Sequence, residues 1–214
     1  MHRSKQFAEI TNLGSAGERI LPCFLFSTVF TSCNRGVAVI EAEHAFDNVD
    51  RSNRNWLTQS ELAGYVGSGY MSALPDTDLQ FTTGYTASPQ LQYDINFTTT
   101  GVYTVWLRGY APNAAGDSLY VGLDDQPATT LTGFASGQWS WANGDGQGNT
   151  ATIEVTEQGL HILHLWMRED GLRLDRILLT TDSGYNPVGA GPPESEINQL
   201  MKWKAFPYWA NFVR

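Results

Sequence analysis

Through the middle of the chain apolar residues recur at every second position, the spacing of strands with one face on a core. In L-Q-Y-D-I-N-F, residues 91–97, Leu91, Tyr93, Ile95 and Phe97 share the inward face. In V-Y-T-V-W-L-R-G-Y-A, 102–111, Tyr103, Val105 and Leu107 face one way and Thr104, Trp106 and Arg108 the other. Leu119, Val121 and Leu123 repeat the pattern in 118–124. The segment V-A-V-I-E-A-E-H, 37–44, opens the series, with Val37, Val39, Glu41 and Glu43 on one face and Ala38, Ile40 and Ala42 on the other. Further strands read at 69–74, 139–143 and 151–156, the last two separated by the turn-rich N-G-D-G-Q-G-N. Residues 159–182 read as two apolar strands meeting at Glu169-Asp170-Gly171. Asp-Gly predicts a hairpin there, because glycine accepts the positive φ of the turn. About nine short strands, roughly 8–12 residues apart with no long helical period, predict an all-β jelly-roll β-sandwich.

Acids interrupt this pattern at informative places. Glu41 and Glu43 continue an apolar stripe two residues apart, and Asp175 stands between Leu174 and Ile177 on the face predicted for Ile177 and Leu179. A carboxylate in such surroundings needs a cation or hydrogen-bond donors. Pairing with Arg173 or Arg176, or exposure of one acid, is one way to satisfy them; a bound metal ion is the other.

The ends differ from the middle. Residues 1–36 read as a leader, 37–182 as the sandwich, 183–193 (S-G-Y-N-P-V-G-A-G-P-P) as a linker, and 194–214 as an aromatic tail or the start of a following module. The tail reads as a short helix up to Ala205, stopped by Pro207. Residues 48–69 read as a long polar loop, the kind that often carries function.

Composition narrows the function classes. The net charge of −9 argues against a nucleic-acid binder, which presents a basic face. It suits a neutral or cationic partner or calcium, or serves solubility alone. The two cysteines, Cys23 and Cys33, both lie in the leader. The apolar run 20–30 has the length of a signal-peptide core and is too short to span a bilayer. With Thr31-Ser32 before Cys33 it resembles a lipoprotein signal with Cys33 lipidated, which implies a secreted or cell-surface location; a non-native leader from a misassigned start and a Cys23–Cys33 disulfide are the other readings.

I-E-A-E at 40–43, G-V-Y-T-V-W-L-R at 101–108, D-S-L-Y-V-G-L-D at 117–124, W-S-W at 139–141, G-L-H-I-L-H-L at 159–165 and L-D-R-I-L-L at 174–179 carry a resemblance. In that order they resemble galactose-binding-like β-sandwich modules: carbohydrate-binding modules of families 6 and 35, and domains appended to polysaccharide-degrading enzymes such as the C-terminal domain of family 115 glycosidases. The resemblance implies polysaccharide binding and a structural calcium, for which Glu41, Glu43 and Asp175 match the acidic ligands. Calcium takes six to eight oxygens, chiefly carboxylate and carbonyl, which agrees with three acids at stripe positions.

A sugar presents flat C–H faces ringed by hydroxyls, so its site needs an exposed aromatic and bidentate polar groups. Edge-loop candidates are Asn53, Arg54 and Trp56, then Tyr110, Trp141, Asn143 and Asp170, with Trp56 the expected platform. Trp139 is expected in the core. Trp106, Arg108, Trp166 and Arg168 are candidates on a sheet face, unless loops or the tail cover them. An arginine-rich rim of Arg54, Arg108, Arg168 and Arg173 favours acidic sugars. Catalytic signatures are absent: no G-x-S-x-G, H-E-x-x-H, C-x-x-C or P-loop occurs. His161 and His164, three apart on a strand, point to opposite faces and cannot share a metal. The expectation is a non-catalytic module that tethers a secreted or surface protein to polysaccharide. The alternatives are an adhesive subunit that self-associates through the tail, and a glycosidase with its own pair of acids.

Overall fold

The computed structural model describes residues 23–82 and 84–205. Two sheets face each other across one apolar core. The first contains β1 (Cys23–Cys33), β3 (Asp47–Val49), β6 (Gln90–Phe97), β8 (Ser118–Leu123), β9 (Thr129–Thr132), β12 (Gly159–Met167) and β14 (Ile197–Ala205), in the order β14-β1-β6-β12-β8-β9 with β3 also on β6. The second contains β2 (Val37–Glu41), β4 (Asn55–Gln59), β5 (Tyr70–Leu74), β7 (Gly101–Tyr110), β10 (Trp139–Ala142), β11 (Thr152–Val155) and β13 (Arg173–Thr180), in the order β10-β7-β13-β5-β4, with β11 on β7 and β2 on β13. The all-β sandwich expectation holds, with fourteen strands among the described residues rather than nine.

The core is made of the residues that alternation assigns to it. Ala38, Ile40, Ala42, Leu91, Tyr93, Ile95, Phe97, Tyr103, Val105, Leu107, Leu119, Val121, Leu123, Leu163, Leu165 and Met167 all belong to the buried cluster. Each fully buried large apolar side chain contributes about 1.5–3 kcal/mol.

Four expectations need correction. Glu169-Asp170-Gly171 is not a hairpin: β12 pairs with β6 and β8 in the first sheet, while β13 pairs with β7, β2 and β5 in the second. The chain arches between sheets because both acids are held by distant donors. Asp170 accepts from Thr77 N (3.1 Å), Thr77 Oγ1 (3.0 Å) and Leu79 N (3.0 Å), and Glu169 accepts from Asp117 N at 2.9 Å. The polar loop 48–69 contains β4 and the last two residues of β3. The leader expectation is corrected in one respect, since residues 23–36 include a strand of the first sheet. Within it β1 runs parallel to β6 at Thr31–Cys33 and antiparallel to β14 from Cys23 to Thr31. The tail to Ala205 is therefore a strand, not a helix. Residues 1–22 and 206–214, with the start of the leader and the end of the aromatic tail, lie outside the described residues.

Cys33 is buried and unbridged, 3.7 Å from the Tyr103 hydroxyl. Burial pushes its thiol up to about 11. This packing excludes the Cys23–Cys33 disulfide within the fold: Cys33 is unbridged, and Cys23, ten residues along the same strand, is about 33 Å away at strand rise.

Candidate functional site

The outer face of the second sheet is partly roofed by two irregular segments, residues 60–69 and 187–195. Beside the first lies an open cleft of about 310 Å³, lined by Gln59, Glu61, Leu62, Tyr70, Tyr110 and Arg173. Strand register builds it. Tyr70 stands opposite Gln59, Tyr110 opposite both Arg173 and Trp139. Alternation then carries these side chains outward together. The aromatics form a wall: Trp139 meets Tyr70 edge-on at 5.4 Å and Tyr110 at 5.7 Å. Arg173 lies over the Tyr110 ring at 5.4 Å and donates to Gly171 O at 3.3 Å. It is in no ion pair among the described residues, so its guanidinium is available to a ligand.

Of the residues expected in a sugar site, Tyr110 lines this cleft. Trp56, the expected platform, is fully buried. Its strand pairs with β5, and alternation turns the indole into the core. Arg54 and Asp170 are taken by each other, Arg54 Nε lying 3.2 Å from Asp170 Oδ2, and the Asp170 side chain is fully enclosed. Asn53 is at an exposed turn with φ 54°, and Asn143 binds Ala151 N through its carbonyl at the far end of β10. Trp141 shares the face of Trp139, but its Nε1 donates to Gly189 O at 3.1 Å under the segment 187–195. Trp139, expected in the core, is instead in the aromatic wall. Tyr70, Gln59, Glu61 and Leu62 were missed. Of the expected sheet-face residues, Trp166 packs against Tyr85 (4.6 Å) and His164 (5.0 Å) and lines a second cleft with them, Trp106 Nε1 is buried without a hydrogen-bond partner, and Arg168 binds Glu169 Oε1 at 2.5 Å.

Behind the cleft, at a seam between β2, β13 and loop 60–69, lie Glu41, Glu43 and Asp175. The register of β13 shifts between Leu174 and Arg176, a bulge that puts Leu174 and Ile177 both in the core. Asp175 reaches the roof side instead. It accepts from Val66 N at 2.8 Å and is paired with Arg108. Burial nevertheless raises its pKa. Glu41 is paired with Arg176 at 2.9 Å, yet burial and the nearby Glu43, Asp175 and Glu194 outweigh that cation and raise its pKa to about 7. Glu43 Oε1 accepts from Ser68 N (2.8 Å), Ser68 Oγ (3.0 Å) and Gly69 N (3.1 Å). Gly67 is required in this loop: with φ 74°, a Cβ there falls 2.7 Å from Glu43 Oε1. Glu41 Oε2 and Glu43 Oε2 are buried without a hydrogen-bond partner. Among the described residues no three acids, histidines or cysteines gather at metal-holding spacing.

The model of the glycosyl hydrolase family 115 C-terminal domain matches residues 30–194. The chain belongs to this family. A curated relative, "Uncharacterized protein P23" of Formosa agariphila, is 27% identical over 217 residues, covering 83% of this chain and 52% of that protein. The chain thus spans about half the length of that relative. Among solved structures, the Podospora anserina GH26-CBM35 β-(1,4)-mannanase superimposes with a TM-score of 0.50 at 19% identity, over 71% of this chain and 29% of that one. A family 35 module from Clostridium thermocellum gives 0.45 at 15% identity, over 67% and 96%. These likenesses concern the fold. No described helix is long and apolar enough to cross a membrane.

Proposed function

We propose that the domain binds carbohydrate non-catalytically in the cleft of Tyr70, Tyr110, Trp139 and Arg173, and tethers a secreted or cell-surface protein to polysaccharide. The single observation that carries this reading is an aromatic wall with, beside it, a guanidinium that is in no ion pair among the described residues. Tyr110, the partly exposed aromatic of the lining, takes the C–H face of a sugar with Tyr70 buried behind it, and the guanidinium fork matches a carboxylate, which favours uronic-acid-bearing chains. A glycosidase needs two carboxyl groups about 5–9.5 Å apart across its substrate. Glu61 is the one acid among the described residues lining the cleft, which supports binding without hydrolysis. Tethering raises the effective concentration of an attached enzyme at its substrate.

Calcium belongs to the same reading. Glu41 Oε2 and Glu43 Oε2 are the ligands it would use, and two buried oxygens without donors fit a cation. Asp175, matched by resemblance as the third ligand, has Arg108 beside it instead. Bound there, calcium would neutralise the seam and hold β2 to loop 60–69.

The test is calorimetric titration with glucuronate-bearing and neutral oligosaccharides. Wild-type protein is expected to prefer the acidic ligand, and Arg173→Gln to lose about tenfold or more of that affinity, the cost of a missing charged hydrogen bond. Equal binding of both ligands by Arg173→Gln and wild type removes the acidic preference. No binding to any glycan removes the module reading.

A further inference from the structure

We propose that the segment 187–195 is a positioning strap for the cleft, and that Arg108 transmits its hold. None of the strap's residues lines the cleft. Gly189 O accepts from Arg108 Nε at 3.1 Å, and Ala190 O and Pro192 O accept from Arg176 NH1 at 2.6 and 2.7 Å. Its far end is tied to β2, where Ser195 N donates to Val39 O and Val39 N donates to Ser195 Oγ, both at 2.9 Å.

Arg108 spends its remaining donors toward the cleft. Its NH1 pairs with Asp175, and its NH2 donates to Gly64 O at 3.0 Å in loop 60–69. Its guanidinium lies 5.4 Å from the Trp139 ring, and Trp139 Nε1 donates to Ala63 O at 2.9 Å. The same loop supplies Glu61 and Leu62 to the cleft. One buried planar fork therefore fixes the strap, the bulged Asp175, the cleft's loop and its aromatic wall at once. A lysine keeps the charge opposite Asp175 but cannot present a rigid fork in these directions. From the strap side, Gly191 has φ 77°, and a Cβ there falls 2.7 Å from Trp141 Cζ2, so Gly191→Val pushes the strap outward.

The effect on sugar affinity rests on the function proposed above; the effect on the loop does not. Amide hydrogen exchange on the full chain reads the loop, with β12 in the opposite sheet as the internal control. Arg108→Lys and Gly191→Val are each expected to quicken exchange in 60–69 by about fivefold or more, the low end of coupling between sites, and to leave β12 unchanged. Affinity for sodium glucuronate, the probe, falls by a similar factor. Wild-type exchange in 60–69 in Arg108→Lys overturns the proposal, as does a freed strap with an unaltered loop in Gly191→Val, or equal quickening in β12. If wild-type protein does not bind glucuronate while both variants loosen the loop, the acidic-sugar reading fails and the strap stands.

Discussion

Among the described residues acids are buried in two places, and the fold treats them differently. At the arch between β12 and β13, Asp170 accepts from two backbone amides and the Thr77 hydroxyl and lies against Arg54; Glu169 has Asp117 N and Arg168. At the seam, Glu41 and Glu43 each have one oxygen engaged and one buried without a donor. A saturated carboxylate is a finished structural staple, because every lone pair it brings out of water is met. A half-saturated one bears a desolvation cost that a ligand can relieve. The arch therefore works as part of the fold, and the seam as a place where the fold has capacity left over.

The strongest test of that contrast is Asp170→Asn. The amide keeps the shape but turns a donor toward Thr77 N, Leu79 N or Arg54. Breaking a buried pair by removing one partner costs about 3–5 kcal/mol. Urea unfolding is expected to show a loss of that size. A loss below about 1 kcal/mol would mean that the arch is no staple, since that is the range of an exposed pair.

How much of this could be read in the sequence depends on how local the cause is. The core faces of β2, β6, β7 and β12 follow from period-two alternation, which needs only neighbouring residues. Trp56 lies in a five-residue strand beside the apolar but exposed Leu57, too short for the period to tell the two apart, and only its pairing with β5 decides that it is buried. The switch of sheets at the arch depends on Asp170 meeting Thr77, 93 residues away. The seam is set by Arg108 with Asp175, 67 residues apart, and by Glu41 N with Glu194, 153 apart. Cleft residues such as Tyr70 and Trp139 come together for the same reason. The acids themselves were legible as anomalies; which arginine or amide answers each was not.

An intermediate effect is expected from calcium at the seam. Burial raises the folded pKa of Glu41 to about 7 from an ordinary 4.5. Its contribution to stability is then full below 4.5 and is lost as pH climbs through 7, because the fold prefers the neutral acid. In chelator, unfolding free energy is expected to fall across that window. Calcium at a hundred times its dissociation constant adds about 2.7 kcal/mol and acts most where Glu41 is ionised, flattening the slope. Identical pH profiles with calcium and with chelator would leave Glu41 and Glu43 without a cation and make the seam a purely internal charge cluster.

The smallest effect sharpens the contrast at the seam's rim. His44 Nδ1 lies 2.7 Å from Glu194 Oε1, whose oxygen also accepts from Glu41 N at 3.1 Å. The His44 side chain is 41% exposed, so water screens the pair and competes for both partners. His44→Gln is expected to cost no more than about 1 kcal/mol in thermal unfolding. Glu194 keeps its backbone donor in that variant, so the end of the strap stays in place. A larger loss would show that the rim, and not the buried arginines beneath the strap, fastens this segment to β2. The unsatisfied oxygens of Glu41 and Glu43 would then lie under a cover held from outside, and a cation could reach them by opening the rim alone.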